Sequence, residues 1–300
     1  MRLPVLVSLA FGLLVAPGCG DDAGSGGAGG GGGAGSTTST TTGTTTSTGG
    51  SDCEAPPSNP SPANRVAVSN VQATARDEAG SPIGDFDLQL CGRDTCLYGT
   101  TSVVGTVTFN QGAGDGTVDK PLFKPGDSLV LGKIGYLYDG QSPFSGIFPR
   151  MVDSSTALAA GASASAAGAT IEVPAGGVVV VDDLIYDAPA KQTFRAAAVG
   201  GADVAAVTGD ASFAMVYALG PNETLFCPPA KLTLDNYAGL AAGAEVEFFV
   251  QEVNIAEHFG VYGTWNKIGE GTVSADGETV STNDGEGLPV LLAVAVRLKN

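Results

Sequence analysis

From residue 64 to residue 300, apolar side chains recur at every second position in short runs, each closed by Gly, Pro, Asn or Asp. A side-chain period of two is what a strand with one buried face requires. Arg65–Ala75 places Val66, Val68, Val71 and Ala73 in this pattern, and Phe86–Leu90 and Val107–Phe109 repeat it. Ser128–Tyr138 and Gly177–Asp182 read as strands. So do Ala211–Ala218, Lys231–Leu234, Glu245–Val253, Lys267–Val273 and Val290–Leu298. Turn signals fall between them at Glu78-Ala79-Gly80, Asp139-Gly140, Ala275-Asp276-Gly277 and Asn283-Asp284-Gly285. Many short strands with such punctuation predict an all-β chain of two β-sandwich domains. Helix signals are few. Thr156–Ala169 is Ala-rich but interrupted by Gly161 and Gly168, and is expected as a loop or short helix; Thr193–Val199 is left open.

The pattern divides the chain into a first sandwich over 64–150, a connector over 151–189 with a strand at 177–182, and a second sandwich over 190–300. With 43% hydrophobic residues the chain can bury a core, which excludes wholesale disorder. Its 31 acidic against 14 basic residues, a formal charge of −17, leave no cationic surface for phosphates, so a nucleic-acid partner is excluded.

The first fifty residues follow other rules. Residues 1–18 carry Arg2, an apolar run from Leu3 to Ala16 and then small residues, the pattern of a secretory signal. The run is shorter than the ~20 residues a membrane-spanning helix needs. Ala16-Pro17-Gly18-Cys19, with Val15 before it, resembles the bacterial lipobox. That resemblance implies a lipidated Cys19 as the new N-terminus, holding the protein to a membrane by its acyl chains. Gly20 follows Cys19, which favours the outer membrane, on its periplasmic or surface face. Residues 19–63 include a Gly/Ala/Ser run and the Thr37–Thr48 tract and are expected as a disordered tether. As a coil it would span roughly 35–40 Å.

Setting Cys19 aside leaves Cys53, Cys91, Cys96 and Cys227, an even number in an exported chain. Cys91 and Cys96 flank the polar turn Gly92-Arg93-Asp94-Thr95 and are expected to bridge it; Cys53 then pairs with Cys227 by elimination. A metal site is not expected, because there is one His and no CxxC spacing.

Ala75–Gly84, with its Asp77-Glu78-Ala79-Gly80-Ser81-Pro82-Ile83 turn, and Gly105-Thr106-Val107-Thr108-Phe109 resemble a carboxypeptidase regulatory-like, or transthyretin-like, sandwich over roughly 64–140. Tyr217–Leu234, with Leu219-Gly220-Pro221 and Cys227-Pro228-Pro229, resembles a ZU5-like sandwich, and Gly239–Glu247, Trp265 and Gly271–Gly277 continue the likeness over roughly 200–300. The whole order resembles myxobacterial-type surface lipoproteins. The first likeness implies a structural or adhesive module and the second a protein-interaction module. Neither implies a catalytic residue or a cofactor. Self-cleavage of ZU5-related domains needs His-Leu-Ser/Thr, whereas His258 precedes Phe259-Gly260.

Gly126-Asp127-Ser128-Leu129 spells the block of GDSL esterases, but it opens an alternating run rather than a helix. Ile255 also stands where that family has an Asp three residues before its His. The block is expected as a turn and strand start. His258, Phe259, Tyr262 and Trp265 form an aromatic, Gly-rich segment, either a ligand loop for glycan or peptide or part of the core. The acidic segments Asp115–Asp119, Asp182-Asp183 and Asn283–Glu286 lack calcium-loop spacing and are expected as solvated turns. The expectation is a non-enzymatic envelope lipoprotein that binds an envelope protein, or alternatively a glycan, with a GDSL-type esterase as the remote alternative.

Overall fold

The computed structural model describes residues 53–112, 114–126 and 129–299. Cys19, the signal segment, the tether up to residue 52, and Asp127 and Ser128 of the GDSL block lie outside the described residues. The fold is all-β, as the alternation requires, with one short helix, α1 (Val204–Thr208), and two single 3-10 turns.

The N-terminal half holds β1 (Arg65–Ala67), β2 (Val71–Arg76), β3 (Asp87–Cys91), β4 (Cys96–Thr100), β5 (Thr106–Phe109), β6 (Thr117–Asp119), β7 (Leu122–Pro125), β8 (Tyr136–Leu137) and β9 (Phe144–Ile147). One sheet runs β5-β2-β9 and the other β4-β3-β7-β8, with β1 and β6 paired beside them. In β2, Val71, Ala73 and Ala75 point inward and are buried, as their spacing requires. Phe109, Phe123 and Phe148 fill the space between the sheets, with Phe123 stacked on Phe144 at 4.2 Å.

The C-terminal half begins with β10 (Val152–Ala157), β11 (Ser163–Ala166), β12 (Ala169–Glu172) and β13 (Val178–Val180). It continues through β14 (Thr193–Ala198), β15 (Phe213–Gly220), β16 (Thr224–Asp235) and β17 (Glu245–Gln251), then β18 (Trp265–Val273), β19 (Thr279–Thr282), β20 (Leu288–Leu291) and β21 (Val294–Leu298). The sheet runs β10-β14-β15-β21-β17-β18-β19-β16-β12-β11, with β13 and β20 also paired to β16. The 12-residue β16 makes this possible: residues 231–235 pair with β12 and β19, and residues 224–230 with β13 and β20. Pro228 and Pro229 sit where the ladder to β20 is broken, the place where a missing N–H costs least.

Three expectations are corrected. Residues 151–189 are not a connector with one strand: β10, β11, β12 and β13 all belong to the C-terminal sheet system. In β11 the buried Ala164 and Ala166 alternate with the exposed Ser163 and Ser165, a contrast too weak in hydropathy to mark a strand. Ala167 and Gly168 both have positive φ, the geometry of a two-residue hairpin turn, so Thr156–Ala169 holds no helix; only 158–162 is loop, and the rest is strand and hairpin turn. The described part of the expected strand Ser128–Tyr138, residues 129–138, is not one long strand: within it Tyr136–Leu137 is strand, and Leu131 makes an isolated bridge to Arg150. The backbone of Gly135 bonds a side chain of the other half instead of a neighbouring strand.

The two halves are parts of one compact body. Ile134, Tyr136, Ile147 and Met151 from the first half pack with Val199, Val216, Phe249 and Ala295 from the second. A Cβ on Gly132 would lie 2.3 Å from that of Ala218, so only glycine allows this approach.

Candidate functional site

Residues 53–64 have no regular structure and lie across the junction of the two halves. Cys53 is disulfide-bonded to Cys227 of β16, 174 positions away. Ser58 donates to the Ala256 carbonyl at 2.5 Å, and His258 donates from Nδ1 to the Pro56 carbonyl at 2.6 Å. Ser61 donates from both its backbone N–H and its hydroxyl to Glu257. The strap is therefore held along the segment between β17 and β18. A second disulfide, Cys91–Cys96, closes the β3–β4 hairpin.

The β17–β18 segment is closed at its base: Gly263 donates to the Glu252 carbonyl at 2.7 Å and Glu252 to that of Thr264 at 3.1 Å. Two buried carboxylates organise it. Glu252, fully buried, accepts from the backbone N–H of Asn254 and of Phe259, each at 2.8 Å. Burial pushes its pKa up, and the Glu223 carboxylate adds to this; the two N–H donors and His258 oppose it. Glu257 accepts from the Tyr262 N–H at 3.0 Å and faces Arg93 at 3.6 Å and Lys120 at 3.7 Å. Arg93 also pairs with Asp119 at 2.7 Å, so Asp119 is a buried partner rather than a solvated turn residue.

Next to this segment is a cavity of about 210 Å³. Its apolar wall is Val180, Leu225, Phe259, Val290 and Leu292. Its polar groups are Asp182, Glu223, Glu252, Asn254 and His258, and Ala55 of the strap closes one side. Among the described residues no Lys or Arg lines it. Among the described residues, neither Glu252 nor Asp182 is within ion-pair distance of a cation, while Glu223 has Lys133 at 3.6 Å and the amide of Asn254 at 2.7 Å. Asp182 is exposed and accepts the Leu184 N–H at 3.0 Å, as expected of a solvated turn residue, and it also borders this cavity. Residues 183–185 continue from it, and there Leu184 is 91% exposed and Ile185 55%.

The expected four-residue ligand loop is divided. His258 and Phe259 line this cavity. Tyr262 is fully buried, and its hydroxyl donates to the Cys91 carbonyl at 3.0 Å across the junction. Trp265 starts β18 and packs on Phe213 at 6.0 Å. It also lines a separate cleft of about 340 Å³ with Tyr136, Phe144 and Thr208. Glu252, Glu223, Asn254 and Asp182 were not singled out as site residues from the sequence. The sequence signal for Glu252 is an acidic residue set directly after the apolar run of β17; the others follow β13, β15 and β17 in segments that nothing in the sequence brings together. Among the described residues no cluster of His, Cys, Asp and Glu could hold a metal ion. No helix of the described residues is long and apolar enough to cross a membrane.

Comparison with known protein families, with curated proteins and with solved structures found no match to this chain.

Proposed function

We propose that this protein is a non-enzymatic, protein-binding head of the cell envelope, anchored to the outer membrane through a lipidated Cys19. The carrying observation is an apolar face on a strongly acidic body: exposed Leu184 and Ile185 continue from Asp182 at the apolar cavity between β13, β16, β20 and the β17–β18 segment. Large apolar side chains held in water favour burial against a partner. The resemblance to the ZU5-like sandwich over residues 200–300 supports the same reading, and the lipobox-like Ala16–Cys19 supports the anchor. The test is a photo-crosslinking residue at position 185 in intact cells. One discrete adduct that Leu184→Asp abolishes, while Val103→Asp on the N-terminal half leaves it, supports the reading. No adduct, or one indifferent to Leu184→Asp, overturns it.

A glycan-binding module is the second reading, favoured by Trp265 in the cleft with Tyr136 and Phe144. Sugars stack on such rings. Saturable quenching of Trp265 fluorescence by an envelope glycan would support it; a flat response across a glycan panel removes it.

A further inference from the structure

The cavity beside Glu252 has a composition that selects its occupant. At about 210 Å³ it is below the range of pockets that bury whole drug-sized ligands, and suits a single long side chain. Its wall is aliphatic except for Phe259, so it offers little for a flat aromatic guest to stack on. Three of its polar groups are carboxylates, and the Asn254 amide is already engaged, its oxygen taking the Ala256 N–H at 2.8 Å and its nitrogen donating to Glu223 at 2.7 Å. The only lining group able to donate from a charged ring is His258, and its Nδ1 proton is already given to Pro56. Glu252 is fully buried and, among the described residues, within ion-pair distance of no Lys or Arg; burial disfavours its ionised form, against the two backbone donors that favour it.

We infer that this cavity receives the side chain of a lysine presented by the partner protein, its four-carbon stem against Leu225, Val290 and Leu292 and its ammonium facing Glu252 and Asp182. This inference rests on the proposed docking face and specifies its chemistry. An ammonium brings three donors and a charge to a site with three carboxylates, and its stem covers apolar wall. Arginine would bring a broader planar head. The net charge of −17 makes a basic partner surface the complementary one and would speed its approach.

The test uses n-pentylammonium as probe, with n-pentanol as a control of equal length and no charge. Nitrogen-15 correlation spectra of the purified protein report the amides of Asn254 and Phe259, which bond Glu252 directly. The expected result is a saturable shift of both amides with n-pentylammonium, at least tenfold weaker in Glu252→Gln and absent with n-pentanol. Should Glu252→Gln fail to fold, Asp182→Asn, at the cavity mouth, is expected to weaken the probe several-fold. Equal shifts with n-pentanol, undiminished binding in both variants, or no saturable shift by 20 mM overturn the inference. Failure of the two ideas is distinguishable. A partner adduct at position 185 that survives Glu252→Gln undiminished keeps the docking face and removes the lysine. Probe binding without any adduct keeps the ammonium site and removes the docking face.

Discussion

Gln251 and Gly135, 116 positions apart, satisfy each other's polar groups: the Gly135 N–H donates to Oε1 at 2.8 Å, and Nε2 donates to the Gly135 carbonyl at 2.6 Å. The primary amide of Gln251 replaces the strand that Gly135 lacks, at the buried junction of the two halves. Gln251→Leu strands a buried donor and a buried acceptor, at a cost of roughly 1–3 kcal/mol each. The expected outcome is a lower urea midpoint, and an N-terminal half that loosens before the C-terminal one. Hydrogen exchange at residues 131–137 checks this; unchanged protection there would show that the pair does not hold the junction.

The Cys53–Cys227 bond encloses the whole N-terminal half and β10 to β15 in one covalent loop, with a sequence separation of 174. Chain entropy for a loop of that size gives an upper figure of about 5 kcal/mol. Cys53→Ser and Cys227→Ser are each expected to lower stability by a large part of this. The double variant should be no worse than either, since one bond is lost in all three cases. Urea unfolding of the set measures it, and additive losses would contradict it.

Acid should weaken the strap before the core. Burial opposes ionisation of Glu257, but the Ser61 donors, the Tyr262 N–H and Lys120 outweigh it and hold its pKa below 4.5. Asp119 is likewise buried, and the Asn64 N–H, Arg93 and Lys120 hold its pKa below 3.8. Both folded-state pKa values lie below the unfolded ones, so this stability is complete above the unfolded values and is lost as pH falls through the folded ones. The urea midpoint is expected to fall below about pH 4.5, and Glu257→Gln to flatten that fall. An identical acid slope in Glu257→Gln would remove the assignment.

Lys124 works in the opposite direction. Burial, then the nearby Lys133, lower its pKa from 10.5 to about 8, with Glu223 opposing. Among the described residues its Nζ has the Val253 carbonyl at 3.3 Å and the Tyr262 ring at 5.9 Å. The folded state holds this proton less tightly than the unfolded chain, so stability rises between pH 8 and pH 10.5, by at most about 3 kcal/mol. Buried tyrosines with raised pKa values, Tyr217 and Tyr237 among them, add an opposing loss above about pH 10, which makes pH 8–10 the window to measure. Lys124→Met should be at least as stable as the parent at pH 7 and lack this rise. A strongly destabilised Lys124→Met would show that the ammonium is needed.

The strand faces were legible wherever apolar and polar residues differ sharply. Val71, Ala73 and Ala75 in β2, and Leu88 and Leu90 in β3, are buried as their alternation demands. Where the alternation is between Ala and Ser, as in β11, the signal fades, because both are small and neither is strongly apolar. The run from Leu129 to Tyr138 misleads for a different reason: its apolar residues are split between two cores, Leu131 and Tyr138 in that of the N-terminal half and Ile134 against the other half, while Val130 and Leu137 are exposed.

By itself the sequence determined the all-β class and the even set of cysteines after Cys19, since period-two burial and cysteine number are local properties. Only the tertiary structure decided that the two halves share a core, that Tyr262 is a junction residue while His258 and Phe259 face a cavity, and that Asp182, Glu223 and Glu252 converge there. Glu252 and Asp182 are brought together by the pairing of β13 and β20 with β16 and by the fold of the β17–β18 segment. Such convergence depends on strand order and register, which short-range pattern does not encode.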